Sequence, residues 1–353
     1  MGVDAESGRL APSFLRVDLT VTLCFVKKGL LSYPARDAVG ELVNCDLGLD
    51  AEALKRAFSL PETVDGESLS SLLPKRSKNS HKGSFGRVCA LVGSDAFVGA
   101  ALLAAEGALR GGCGLFTLAS TDKVIAAAMQ RLPEILALPL PAHEAMEEKD
   151  REALFSNAAL ASALLVGSGC GKSEALYRIL LSLLSSEGAP LAIDADGLNA
   201  IAAYGADIAA LFSTAKRPVV LTPHPLEMAR LIGKTVGEVQ ENRLALAEEY
   251  AKKWGVSLVL KGAGTVIADR EGSAVSTVGD SALAKGGSGD VLAGLIASLL
   301  AQGASPRAAA EAAVYLHGKA GERLAARLSP YGVLPSDLPL EIAALMAEIL
   351  KKA

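Results

Sequence analysis

The 353-residue chain is short of several things that would each announce a function. It has no excess of basic charge: 35 lysines and arginines stand against 39 acids, a net charge of −4. Neutralising a nucleic-acid backbone takes clustered cations, and bases stack on aromatic platforms. With aromatics at 4% neither is evident, and no nucleic-acid partner is expected. The longest apolar run, around Val291 to Ala301, falls well short of the roughly 18 residues that span a bilayer, so no membrane partner is expected either. The opening MGVDAESGRL lacks the charged-then-apolar layout of a secretion signal. Four histidines are too few to expect a histidine-built metal site, and no metal ligands are assigned. The five cysteines (Cys24, Cys45, Cys89, Cys113, Cys170) are odd in number and contain no CxxC pair. They read as buried or free thiols of a reducing compartment, the cytoplasm. What the chain does have is apolar material: half of it is hydrophobic and only 21% charged, enough for a sizeable core.

Composition breaks divide the sequence. A polar stretch from Pro61 to Lys82, rich in Ser, Lys and Pro without apolar periodicity, reads as a linker, bounded at 58–80. Ahead of it, residues 1–57 carry two strand-like runs, LTVTLCFV (19–26) and ELVNCDLG (41–48), with a tight KKGL turn between them. Two strands and a short helix cannot bury a core alone. This segment therefore reads as a partial α/β unit, or an arm that packs on a neighbour.

From 81 to 353 short apolar runs alternate with Ala/Leu-rich helical stretches: RVCALV (87–92), GLFTLA (114–119), ALLV (163–166), LAID (191–194), VVLT (219–222) and SLVLK (257–261). That is the pattern of βαβ units, predicting an α/β fold with a central, mostly parallel sheet flanked by helices. TVIAD and AVSTV around DREG read as an appended hairpin. An amphipathic helix is expected from about Asp290 to Gln302, and a second from Ser305 with Pro306 in its first turn.

Ligands of open parallel sheets bind beyond the carboxyl ends of the strands. Here those ends run into GSGCGKS, ADGLN, PHPLE and GAGT, which should share one rim. The strongest feature is KGGSGDVLAG (285–294). Gly286, Gly287, Ser288 and Gly289 form a backbone nest for a phosphoryl group at a helix N-terminus. Asp290 follows in the first turn. It is either a simple helix-dipole carboxylate or a general base beside the nest, and three glycines within four residues favour the base. GSGCGKS resembles a Walker loop, but Val166 stands where the first glycine is required. His224 sits between two prolines and is either a packed residue or a ligand contact. Lys261 either caps its strand or meets a phosphate, and the glycines after it favour a nucleotide. Asp194, Asp196 and Asn199 suit either a magnesium ion, a substrate or a turn.

Taken in order, HKGSFGRV (81–88), FVGAALLAAEGALRGGCGL (97–115), GSGCG (167–171), DADGLN (194–199), LTPHPLEMARLIG (221–233), KGAGTV (261–266) and KGGSGDVLAG (285–294) resemble the ADP-dependent NAD(P)H-hydrate dehydratases, repair enzymes with a ribokinase-like fold. The resemblance covers 78 to about 345. It implies dehydration of the 6S hydrate of NADH or NADPH, with ADP as co-substrate, AMP and phosphate as products, and Mg2+ on the phosphates. Asp290 would be the catalytic base. Ala100, Gly169, His224 and Asp290 match positions that contact the hydrated dinucleotide; Lys261, Gly262, Ala263, Gly264, Thr265 and Gly289 match the ADP/AMP site. A homo-oligomer, a tetramer, is also implied. Two departures stand out: Asp280-Ser281-Ala282 replaces an Asn-Pro-Gly, and Gly-Ser-Gly-Cys-Gly replaces a Gly-Pro-Gly-Leu-Gly.

The amino-terminal GVDAESG (2–8), DLTVTL (18–23), KKGLLSYPARDAVGEL (27–42) and DLGL (46–49) resemble the end of the NAD(P)H-hydrate epimerase domain often fused ahead of the dehydratase, with Asp4 at its catalytic aspartate. Residues 1–57 are accordingly expected to lack epimerase activity, as a remnant, a truncation or half of a split protein, with a separate epimerase as partner. The alternatives to a dehydratase are a small-molecule kinase of the same fold, acting on a vitamin precursor or sugar with ATP, and a nucleotide-binding regulator whose site has decayed.

Overall fold

Short β-branched and Leu/Ala runs form strands, and the Ala/Leu-rich stretches between them form the helices that cover both faces of one sheet. In the computed structural model, residues 2–50, 53, 54, 57, 60–64, 66 and 69–352 are described. The strands are β1 (Leu19–Leu23), β2 (Glu41–Cys45), β3 (Glu62–Val64), β4 (Arg87–Leu91), β5 (Leu115–Ser120), β6 (Leu136–Pro139), β7 (Ala163–Val166), β8 (Leu191–Ile193), β9 (Val219–Leu221), β10 (Ser257–Leu260), β11 (Val266–Ala268) and β12 (Ser273–Ser276). Ten of them form one sheet in the order β3-β12-β11-β10-β9-β8-β7-β4-β5-β6. Only β11, the first strand of the expected hairpin, runs against both of its neighbours. Along β4, Val88 and Ala90 join one core and Cys89 and Leu91 the other, so side chains alternate between two helical layers.

The helix Ser288–Ala301 departs from the amphipathic expectation. Every residue from Val291 to Ala301 is buried, because the sheet lies on one side and the helices Val98–Arg110 and Pro306–Gly332 cover the others. Ser298, the one polar residue in that run, accepts the Cys113 N–H at 2.9 Å. Close approach to Val98–Arg110 depends on Gly294: a β-carbon there would lie 2.0 Å from the Ala104 carbonyl oxygen. Ser305 caps the next helix as expected, accepting from the Ala308 N–H at 3.2 Å. That helix kinks at Ser329, just before Pro330.

Part of the expected linker belongs to the fold. Within 58–80, β3 pairs in parallel with β12, and the helix Leu69–Leu72 with Leu73 buries Leu69 and Leu73 in the main core. Three-residue edge strands borrow a register from their neighbour and need no alternation of their own. Arg76 then holds the stretch down, stacking on Phe85 at 3.5 Å and donating to the Gly112 carbonyl at 2.8 Å. The expected boundary at 57–58 adjoins Ala51, Glu52, Lys55, Arg56, Phe58 and Ser59, which lie outside the described residues.

The amino-terminal segment forms a separate two-stranded parallel sheet, β1 with β2, and its expected KKGL turn is a short helix, Lys28–Leu31. Its alternation is inverted: Thr20 and Thr22 face inward while Leu19, Val21 and Leu23 are each more than half exposed. Leu31 packs against the second core, and a β-carbon on Gly264 would lie 3.3 Å from its carbonyl oxygen.

Candidate active site

Four consecutive strand ends converge on Asp194. It follows β8, is almost wholly buried, and gathers a donor from each neighbour. Ser168, beyond β7, donates its hydroxyl to Oδ2 at 2.9 Å; Thr222, beyond β9, donates to Oδ1 at 2.7 Å; and Lys261 Nζ, beyond β10, reaches Oδ1 at 2.7 Å. Ala195 carries the strain of this arrangement at φ 46°, a left-handed conformation alanine rarely adopts. The kink turns Asp196 the other way, to accept the Gly171 N–H at 2.8 Å. Asp194 is therefore a hydrogen-bonding hub. Asn199 accepts from Arg230 at 2.6 Å.

Facing this hub is the start of the helix Ser288–Ala301. Gly287 is its N-cap at φ 106°, which a side chain would disfavour, and Ser288 begins the helical turn. Lys261 bridges the two motifs, since a β-carbon on Gly289 would lie 3.3 Å from its Nζ. The Ser288 hydroxyl is buried without a hydrogen-bond partner. An orphaned hydroxyl inside a nest of backbone N–H groups at a helix N-terminus fits a bound phosphoryl group. His317 holds the helix start in place: its Nε2 lies 3.0 Å from the Ser288 carbonyl, and burial drives its pKa down to about 4. A carbonyl can only accept, so the neutral ring donates from Nε2.

The charges balance around Lys261. Burial alone would depress its ammonium, but Asp194, Glu227 and Asp290 outweigh that and raise its pKa. Burial lifts the Asp290 carboxyl to about 7, with Asp194 adding to the rise and Lys261 and the Ser168 hydroxyl opposing it. Glu227 also rises to about 7, through burial, against Lys261. Two carboxyls poised near neutrality around one lysine are suited to accepting and releasing protons.

His224 caps the helix Pro225–Ile232. Its Nδ1 accepts from the N–H groups of Leu226 (3.1 Å) and Glu227 (3.2 Å), while Glu227 Oε2 accepts the His224 N–H at 2.8 Å. The ring stays half-exposed at the rim, and burial with Lys261 nearby lowers its pKa. A neutral ring with Nδ1 engaged carries its proton on Nε2.

Gly169 meets Ala100 directly, a β-carbon on the glycine falling 2.6 Å from that of Ala100, so two residues 69 positions apart share one wall. The loop Lys261–Thr265 is organised by Arg243, which donates to the carbonyls of Leu260 (2.8 Å) and Gly264 (3.3 Å). Thr265 donates to the Gly262 carbonyl at 3.0 Å, leaving Ala263 exposed at the crest. Ser173 of the Walker-like GKS is spent capping its helix, accepting from Leu176 N–H. Gly286 has open space on its α-carbon side. Sequence reasoning did not single out Thr222, Glu227, Arg243 or His317; the His-x-x-Glu spacing of a capping box could have found Glu227. Asp4 is exposed and turned inward on its own loop, accepting from Ser7 N–H (2.6 Å) and Ser7 Oγ (2.7 Å), which lower its pKa. Among the described residues no group of three His, Cys, Asp or Glu is placed to hold a metal ion, and no helix is long and apolar enough to cross a membrane.

Residues 88–343 match the family model for NAD(P)H-hydrate dehydratase. Among curated proteins, bifunctional NAD(P)H-hydrate repair enzymes of Moorella thermoacetica and Escherichia coli are 36% and 34% identical, each over 96% of this chain. The chain spans only 63% and 62% of their respective lengths. Among solved structures, an ADP/ATP-dependent NAD(P)H-hydrate dehydratase of Bacillus subtilis, co-crystallised with ATP and Mg2+, superposes with a TM-score of 0.72. It is 31% identical and covers 82% of this chain and 99% of its own. A ribokinase-like protein of Enterococcus faecalis gives a TM-score of 0.71 at 28% identity, over 82% of this chain and 96% of its own.

Proposed function

The chain belongs to the NAD(P)H-hydrate dehydratase family, with a ribokinase-like fold, and on that premise we propose that it dehydrates the 6S hydrate of NADH or NADPH with ADP as phosphoryl donor. The observation that carries the reading is the ionisable Asp290 carboxyl at the edge of the glycine nest, poised near 7 beside Lys261. Asp290 accepts the proton of the C6 hydroxyl as that oxygen attacks the β-phosphorus, and the bond to AMP breaks. The nest Gly286–Gly289, with the unpartnered Ser288 hydroxyl, holds the transferred group. Phosphate then leaves C6 while the adjacent ring carbon gives up a proton, restoring the double bond. Lys261 neutralises charge that builds between the two phosphates.

With no three-ligand cluster among the described residues, magnesium fits as an ion carried by the nucleotide's phosphates, where it supplies further charge neutralisation. The B. subtilis relative co-crystallised with ATP and Mg2+ supports the use of magnesium together with a nucleotide. Residues 1–57 are read as the end of an epimerase-like domain, in which Asp4 Oδ1 accepts from Ser7, and a separate epimerase is the expected partner. A cytoplasmic homo-oligomer is part of the same reading.

The test is recovery of reduced-nicotinamide absorbance from purified NADH-hydrate with magnesium and ADP, ATP or no nucleotide. Recovery that requires ADP and yields AMP and phosphate supports the reading. No recovery, with ATP-dependent phosphorylation of a small alcohol instead, would replace it with the kinase.

A further inference from the structure

A groove of about 490 Å³ opens on the rim beside the reacting groups, lined by Lys172, Asp196, Asn199, Ala202, Ala203 and Arg230. Its size is that of a small-molecule site. It adjoins the substrate end of the active site at two points. Lys172 follows Gly171 directly, on the loop that carries Gly169; Arg230 lies close enough to His224 to lower its pKa.

The lining favours one kind of ligand. It has no aromatic ring on which a base could stack, and its apolar part is limited to two alanine methyl groups. Its charges are two cations and one carboxylate, and the carboxylate of Asp196 already accepts the Gly171 N–H. Among the described residues neither Lys172 nor Arg230 pairs with an acid. Arg230 is nonetheless held: Nη1 donates to Asn199 Oδ1 at 2.6 Å, which fixes the guanidinium and leaves its other donors for a ligand. An oriented arginine fork with a lysine on the same lining is an arrangement suited to a phosphate.

We propose that this groove is a phosphoryl subsite for the dinucleotide substrate, with Arg230 and Lys172 as its anion-binding pair. The proposal rests on the dehydratase reading and adds where the non-reacting part of the substrate is held. Two groups of a dinucleotide share the required chemistry, the pyrophosphate bridge and the 2′-phosphate that distinguishes NADPH from NADH.

The test is binding without turnover. ADP-ribose and ADP-ribose 2′-phosphate are titrated by calorimetry into the full chain and into Arg230→Ala, Lys172→Ala and the double variant. Both residues are exposed, so the variants should fold. Each single variant is expected to weaken binding about tenfold, the lower range for a charge-assisted hydrogen bond, and the double variant further. Loss for both probes assigns the pyrophosphate; loss confined to the second assigns the 2′-phosphate and makes the pair a determinant of coenzyme preference. Wild-type affinity for both probes in variants that still return NADH from its hydrate would overturn the subsite and leave the dehydratase reading intact. Weakened binding of ADP alone would assign the cations to the nucleotide and overturn the proposal. An unsubstituted chain that binds neither probe and returns no NADH would overturn both.

Discussion

Replacing Asp290 with asparagine separates what this carboxylate does for catalysis from what it costs the fold. Burial and Asp194 hold it at about 7 rather than 3.8. As a base it must be ionised, so turnover should fall about tenfold per pH unit below 7 and level off above. The stability effect has the opposite sense. A carboxyl whose pKa is raised by folding binds its proton more tightly in the folded state. Its favourable contribution is complete below the unfolded value and is lost as pH rises through about 7. Above that, the ionised group is held against its preference, at a cost of at most about 4 kcal/mol for a rise of this size. Asp290→Asn keeps the shape and removes the charge. It should lose about 10²–10⁴ in turnover of NADH-hydrate, yet melt at a higher temperature than the parent at about pH 8 and at the same temperature near pH 4. Glu227 also rises to about 7 through burial, a second carboxyl beside the same Lys261. An Asp290→Asn protein that is inactive and also less stable at pH 8 would show that Asp290 is structural. One that keeps its turnover would show that the base lies elsewhere.

Ser168→Ala removes a donor to Asp194 and a hydroxyl that holds the pKa of Asp290 down, so the acid limb of the pH–rate profile should move to higher pH; a limb that stays in place refutes that influence. Lys261→Met leaves the buried Asp194 carboxylate without its counter-charge and should lower stability by about 3–5 kcal/mol, read from denaturant midpoints, besides weakening ADP binding. Gly294→Ala drives a methyl into the Ala104 carbonyl and should cost about 1–3 kcal/mol with a displaced Asp290, measured as a lower melting temperature and reduced turnover. The chain alone should not interconvert the 6R and 6S hydrates, monitored by chromatography of the two epimers; measurable exchange would refute the reading of residues 1–57.

The rim was legible because strands announce where they end and glycines mark where backbone must turn. GSGCG, Lys261–Thr265 and the Gly286–Gly289 nest all lie where those rules put them. The role of Asp194 was not legible, and the reason is distance along the chain. Its donors lie 26, 28 and 67 residues away, so the local sequence DADGLN looks like a turn or a metal ligand. His317 and Arg243 escaped for the same reason: each acts on a backbone carbonyl, a group that every residue has and that no motif can single out. The helix Ser288–Ala301 shows the complementary limit. Its leucines suggest one apolar face, but its other faces are alanine, glycine and serine, small enough for two further helices to cover them. The altered loop at Asp280 is the instructive departure. Losing a rigid Pro-Gly should loosen the approach to the nest, yet Asp280 accepts the Ala282 N–H at 2.7 Å, and Glu322 accepts the Gly279 N–H at 3.0 Å. Hydrogen bonds thus replace a covalent constraint. A loop held that way is fixed in the folded protein but not pre-set in the unfolded chain, so the substitution acts on the entropy of folding more than on the geometry of the site.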